Sequence, residues 1–281
     1  MKNLSLLVFL SFSLQASFGQ ELNVMTFNIR LAIASDSLNA WPYRKDKVLS
    51  QIIYHKVDIL GVQEAVPGQI ADLKNALIGY SYVGVGREGG DKGEYSAIFY
   101  KTDRIRLLNS STFWLSSTPS HVASQGWDAA LPRIVTWAKL KDRKSGKSFF
   151  VFNTHFDHMG KVARKESARL LLHAVDSIAA RSVAIVTGDF NAHPNDEPMQ
   201  IIMKSTDGNR LIDAKSVSIE PHYGPTGTFN GFGSKETSVN PIDYILFNKG
   251  VQVLQHATLS QTWMGRFASD HFAVLAMIRL M

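Results

Sequence analysis

Short apolar runs rich in β-branched residues recur along this chain, and most end on a polar residue able to ligate a cation, take a proton or bind an anion. Leu22-Asn23-Val24-Met25-Thr26-Phe27 predicts a first strand leading into Asn28. Val57-Asp58-Ile59-Leu60-Gly61-Val62 predicts a buried strand that reaches Glu64. Tyr80 to Gly86 predicts another, and Tyr95 to Tyr100 with Ile105 to Leu115 read as paired strands. Ile134 to Leu140 and Phe149 to Thr154 predict a hairpin around Ser145-Gly146, with His155 following its second arm. Val183 to Val186 runs into Gly188-Asp189, and Ile242 to Phe247, Val251 to Leu259 and Phe272 to Ile278 complete the strands.

Helical spacing is confined to three segments. Val48, Ile52 and Ile53 recur within Tyr43 to Lys56; Ile70, Leu73 and Leu77 follow Pro67, which suits a first helical turn; Leu170, Leu171, Ala174 and Ile178 predict a long helix over Val162 to Ala179. Arg87 to Gly93 and Gly224 to Gly233 read as Gly-rich loops, and Ser116 to Leu131 as a loop carrying Trp127. Strands outnumber helices and hairpins adjoin. That predicts an α/β (α+β) fold with mixed or antiparallel sheets, not a parallel βαβ series. With 281 residues, 45% of them hydrophobic, and no linker or repeat, the chain suits one domain over residues 21–281.

Residues 1–20 are set apart as a signal peptide. Lys2 gives a positive start, Leu4 to Leu14 an apolar stretch, and Ser17-Phe18-Gly19 small residues for cleavage near Gly19 or Gln20. Export to a periplasm or the medium is expected. The apolar stretch is too short to span a bilayer, so no stable membrane insertion is expected after cleavage. The absence of cysteine excludes disulfides, a thiol nucleophile and a thiolate metal site. The net charge of +6 permits anionic substrates, yet the basic residues are dispersed. The densest group, Lys139, Lys141, Arg143, Lys144 and Lys147, reads as a solvated hairpin tip rather than a nucleic-acid track.

Hydrolysis of a phosphate ester needs charge neutralisation at the phosphoryl oxygens, an aligned and deprotonated water, and a stabilised leaving oxygen. Asn28 and Glu64 offer oxygens suited to a hard cation, although each alone also fits a turn or strand end. Gly188-Asp189-Phe190-Asn191 delivers a carboxylate at the end of an apolar strand; Asp189 as base with Asn191 beside it competes with a plain Asx-turn. Asp243 is the expected partner of His271, leaving Asp270 to a metal, and His155 is a second candidate imidazole. The other histidines read as surface residues, with His158 and His193 open because they adjoin the motifs. No HExxH spacing points to zinc.

The segments TFNIR, DILGVQE, NTHFDH, GDFN, IDYI and SDH, in this order across residues 22–281, resemble the endonuclease/exonuclease/phosphatase (DNase I-like) superfamily. The resemblance implies a four-layer sandwich, two packed β-sheets flanked by helices, with the site at one end. It implies Asn28, Glu64 and Asp270 as metal-site residues for Mg2+ (with Mn2+ as a substitute), Glu64 being the principal ligand. Asp189 is implied as the water-activating residue, Asn191 as its positioning partner, and Asp243 with His271 as the dyad stabilising the transition state. His155 is implied to bind the scissile phosphate or assist the leaving group, and Arg133 to contact phosphate, with a structural salt bridge as the alternative. GREGGDKGEYSAIFY, STFWLSSTP and GWDAALPR are similar to secreted bacterial members that lean toward the deadenylase and nocturnin side. Arg87, Glu94, Trp114 and Trp127 in these segments are candidate substrate contacts, core packing being the other reading for the tryptophans.

The expectation is therefore an exported, monomeric, metal-dependent phosphoesterase acting by in-line attack of water. Its expected substrate is a small or lipid-derived phosphoester such as an inositol phosphate. An extracellular nuclease is the alternative. A non-catalytic binding module on the same scaffold carries less weight, because every ligand, base and imidazole is present.

Overall fold

The computed structural model describes residues 21–204, 210–233 and 239–281; the expected signal peptide lies outside them. In chain order the elements are β1 (Glu21–Asn28), α1 (Lys45–Tyr54), β2 (Ile59–Gln63), α2 (Pro67–Ala76), β3 (Tyr80–Val83), β4 (Ile98–Lys101) and β5 (Ile105–Trp114). They continue with β6 (Ile134–Asp142), β7 (Ser148–His155), α3 (Lys161–Ala174), β8 (Ala184–Asp189), α4 (Glu197–Lys204), β9 (Ile212–Asp213), β10 (Asp243–Phe247), β11 (Val251–Leu259) and β12 (Ala273–Leu280).

The strands form two six-stranded mixed sheets, ordered β11-β12-β1-β2-β4-β3 and β5-β6-β7-β8-β10-β9. Period-two alternation decides which face each residue serves. Leu22 and Val24 of β1 meet Val151, Ile185 and Ile245 between the sheets, whereas Met25 and Phe27 turn outward to Val48 and Ile52 of α1 and Leu73 of α2. On the far side, Phe150, Phe152 and Val186 pack against Leu171 and Ala168 of α3 and Ile202 of α4. Three buried layers of side chains thus join four layers of backbone, the sandwich that the family resemblance implied.

Two expectations need correction. Tyr95–Tyr100 and Ile105–Leu115 are not partners: β4 pairs with β2 and β3, while β5 crosses to the other sheet and pairs with β6. The three residues between them allow a change of sheet as readily as a hairpin, and apolar pattern alone does not distinguish the two. α4 was missed because Pro194 and Pro198 read as turn signals, yet Pro198 lies in the helix's first turn, where its absent N–H costs nothing.

Beneath one end of the sandwich the sheets are tied by polar groups. Asn153 of β7 donates to the carbonyls of Val62 and Ala97 in the opposite sheet (2.9 Å each), and accepts from Gln63 Nε2 (2.7 Å) and Thr187 Oγ1 (3.0 Å). Gly61 is required here, since a Cβ on it would lie 2.3 Å from Thr187 Oγ1. Among the described residues, no helix is long and apolar enough to cross a membrane.

Candidate active site

Strand register gathers the predicted residues. β7 runs parallel to β8 with His155 opposite Asp189, and β10 runs antiparallel to β8 with Asp243 opposite Asp189. β1 runs parallel to β2 with Asn28 opposite Gln63, so Glu64 emerges beside Asn28. The chain leaves these strand ends abruptly: Arg30, Glu64 and Asn191 all have left-handed backbones, with φ of 54°, 61° and 46°. Such conformations are uncommon for residues with side chains and cluster at functional sites. Asn28, Asp189, Asp243 and His271 are all buried, beside a cavity of about 410 Å³ lined by Arg30, Glu64, Arg133, His155, Asp189 and His271 among others.

Asp189 is the hub. Its Oδ1 accepts from the Asn191 backbone N–H (2.9 Å) and its Oδ2 from Asn28 Nδ2 (2.9 Å). The same Oδ2 lies 3.6 Å from His155 Nε2 and 3.8 Å from His271 Nε2. Burial, and then the neighbouring Asp243, push the Asp189 carboxyl up to about 7. His271 Nδ1 is 2.9 Å from Asp243 Oδ2, as expected for the dyad. Burial alone would lower the imidazole, but the Asp243 and Asp189 carboxylates outweigh it and hold His271 protonated well above the usual histidine range. Phe229 packs edge-on against the ring, 5.1 Å between centroids.

His155 is held the opposite way. Burial, reinforced by Arg133 and His271, keeps it neutral, far below the ordinary range. The Asn191 amide donates to His155 Nε2 and to the Phe156 carbonyl, both at 3.0 Å, so Asn191 aligns the imidazole and, through its backbone, the base. Arg133 is gripped by Asp157 (Nε to Oδ2, 3.1 Å) and donates to His158 Nδ1 (2.9 Å) while still lining the cavity. The salt bridge is real, and it aims the guanidinium into the site.

Arg87 and Glu94 form a two-pronged ion pair, Nη1–Oε2 2.9 Å and Nη2–Oε1 2.8 Å, on the cavity wall. The two tryptophans fall elsewhere. Trp114 is buried and donates from Nε1 to the Arg87 carbonyl (2.7 Å), holding that loop. Trp127 is 42% exposed and is not among the residues lining the cavity. An exposed loop indole gives no sequence signal that separates a site rim from open surface.

The donor set accommodates a hard divalent cation. The carboxylates of Glu64 and Asp270 share the cavity, and Asp270 is pushed up by burial, with Glu64 adding to the shift. Arg30 reaches toward both, at 4.0 Å from Glu64 Oε2 and 3.7 Å from Asp270 Oδ2. Two carboxylates lining one cavity are the oxygen donors a hard divalent cation suits. Asn28 lies beside these carboxylates. It donates its amide N–H groups to Glu64 and Asp189 and accepts the Arg30 backbone N–H on its oxygen (3.0 Å), so it positions Glu64 beside the candidate cation site. Asp189, Asp243 and His271 also bring ligand atoms within 4.8 Å of one another.

Sequence reasoning missed Arg30, although it lies in TFNIR, because cations are not usual beside a metal site. It also missed Arg44, which is 1% exposed and donates to the carbonyls of Ile29, Arg30, Leu31, Asn39 and Ala268, fixing the segments that carry Glu64's contacts and Asp270. His256, expected at the surface, is buried and bonded through Nδ1 to His222 Nδ1 (2.9 Å), remote from the site.

Residues 25–271 match the model of the endonuclease/exonuclease/phosphatase family, and the chain belongs to that family. Its members are divalent-metal-dependent hydrolases of phosphoesters. The chain is similar to a family member from Bacteroides vulgatus (TM-score 0.89, 38% identity, 93% of this chain and 99% of that one). It is also similar to a mannosyl-6-phosphatase from Bacteroides thetaiotaomicron (TM-score 0.87, 38% identity, 92% of this chain and 99% of that one). Nocturnin of Drosophila melanogaster is 27% identical over 190 residues, which are 62% of this chain and only 27% of Nocturnin's length.

Proposed function

We propose that this chain is an exported, monomeric, Mg2+-dependent phosphatase that removes phosphate from a phosphorylated sugar by in-line attack of water on phosphorus. The observation that carries the reading is the convergence on one cavity of a carboxyl poised near neutrality (Asp189), an imidazolium (His271) and a phosphate-binding guanidinium (Arg133). Resemblance to the mannosyl-6-phosphatase over nearly the whole chain favours a sugar phosphate over the inositol phosphate expected from sequence. The leader-like residues 1–20 support export.

In this mechanism Arg133 binds the phosphoryl oxygens and His271 donates to them through Nε2–H as charge develops. Asp189 takes a proton from the attacking water, whose oxygen bonds to phosphorus as the ester P–O bond breaks. The leaving alkoxide takes a proton from solvent at the cavity mouth. Asn28 and Asn191 hold the base; neutral His155 adjoins it without competing for its proton. Mg2+ (or Mn2+), held by Glu64 and Asp270, would supply positive charge that offsets the phosphoryl negative charge.

The test is phosphate release from mannose 6-phosphate, bis(p-nitrophenyl) phosphate and single-stranded RNA, by wild type and Asp189→Ala. Turnover of the sugar phosphate, lost with chelator and in the variant, supports the reading. Turnover of RNA or the diester alone replaces it with the nuclease alternative.

A further inference from the structure

We infer that the Arg87–Glu94 pair is a specificity element that reads the hydroxyl groups of a monophosphorylated sugar and rejects substrates bearing a second phosphate. The inference rests on the phosphatase reading above and assigns its selectivity to two residues.

A carboxylate in a cavity that must accept a phosphate dianion calls for a reason. Glu94 shares the cavity wall with Arg133 and His155, and its side chain is only 14% exposed. If the wall served only to bind phosphate, an unopposed arginine would be stronger, and Glu94 would weaken it. Arg87 is not unopposed: both of its terminal nitrogens are committed to Glu94 at 2.8 and 2.9 Å, so the pair is neutral. Because Glu94, unlike the buried Asp157 that holds Arg133, itself lines the cavity, the neutral pair presents a carboxylate to any anion placed against it. It matches adjacent hydroxyls, which need one donor and one acceptor each.

The array is held in place. Arg87 N donates to the Glu94 carbonyl (2.9 Å), Glu88 N to the Lys92 carbonyl (3.1 Å), and Tyr95 N to the Ala65 carbonyl (2.8 Å), next to Glu64. Trp114 anchors the Arg87 carbonyl from the other sheet. Gly86 is needed for this closed loop, since a Cβ there would lie 1.9 Å from the Lys92 carbonyl oxygen. A preorganised pair of this kind loses little entropy when a sugar docks. A second phosphate placed against it would meet Glu94 while Arg87 is already engaged.

The test compares kcat and KM for mannose 6-phosphate, mannose 1,6-bisphosphate and phenyl phosphate in wild type, Glu94→Gln and Glu94→Asp. Glu94→Gln should raise KM for mannose 6-phosphate at least 10-fold, a loss at least fivefold larger than on phenyl phosphate. It should also shrink the preference for the monophosphate over the bisphosphate at least fivefold. Glu94→Asp, which keeps the charge, should retain rejection of the bisphosphate. Equal losses on all three substrates would mean a structural role for the pair and overturn the inference, as would an unchanged mono-to-bisphosphate ratio. Absence of turnover of any phosphate by wild type would instead overturn the phosphatase reading on which it rests.

Discussion

Asp243→Asn isolates the charge that keeps His271 an acid. At an effective dielectric constant of about 20, the Asp243 carboxylate, 2.9 Å from Nδ1, contributes a gross attraction of about 6 kcal/mol. Asp189, 3.8 Å from Nε2, contributes about 4 kcal/mol on the same basis. Both act against a burial penalty of several kcal/mol for the imidazolium. With Asp243 neutralised, the remaining attraction no longer clearly exceeds that penalty, and the ring loses its proton. The amide oxygen that the substitution introduces still accepts from Nδ1–H, so the proton is lost from Nε2, the atom that faces Asp189 and the substrate. Losing one charge-stabilising donor lowers kcat about 10²- to 10³-fold. The expected fall in kcat is therefore about 10²- to 10³-fold, with KM changed only a few-fold. Phosphate release from mannose 6-phosphate measures the rate, and 15N chemical shifts of the imidazole report its protonation. A variant with kcat within threefold of wild type and a neutral His271 would refute the reasoning.

Three further outcomes are expected. Glu64→Gln should weaken Mg2+ binding at least 30-fold by calorimetry and abolish any Mg2+-dependent rise in Tm, whereas unchanged affinity would move the metal to the Asp189, Asp243 and His271 group. His256, driven down to about 3 by burial and then by His222, is neutral in the folded state, so its contribution is complete above its unfolded pKa near 6.5 and is lost as pH falls toward 3. Between pH 7.5 and 5 that loss is about 2 kcal/mol, and denaturant unfolding of His256→Gln should show a correspondingly shallower pH dependence. Gly61→Ala should cost about 2–5 kcal/mol in urea unfolding, because its Cβ would displace Thr187 and Asn153 from a buried network; a cost under about 1 kcal/mol would contradict the close approach of the sheets.

Much of the site was legible because β-structure converts sequence into geometry. Asp189 and Asp243 end or begin apolar strands, and one antiparallel register sets them opposite each other. The hairpin of β6 and β7 was readable from its turn, and with it the placement of His155. Pairing across long separations was not readable: β4 and β5 are adjacent in sequence and lie in different sheets. Side-chain direction was equally hidden. Nothing in TFNIR says that the Asn28 oxygen turns to a backbone N–H, or that Arg30, paired with Asp36, lies within 4.0 Å of both Glu64 and Asp270. Asn153, which joins the sheets beneath the site, reads locally as one polar residue in the strand Phe149–Thr154.

Hydrolysis of mannose 6-phosphate in H₂¹⁸O, with mass spectrometry of both products, tests the central claim most directly. Attack of water on phosphorus predicts one ¹⁸O in the released phosphate and none in the sugar, with release requiring Mg2+ and lost in Asp189→Ala. Label in the sugar hydroxyl, or release that survives both chelator and the substitution, would contradict it.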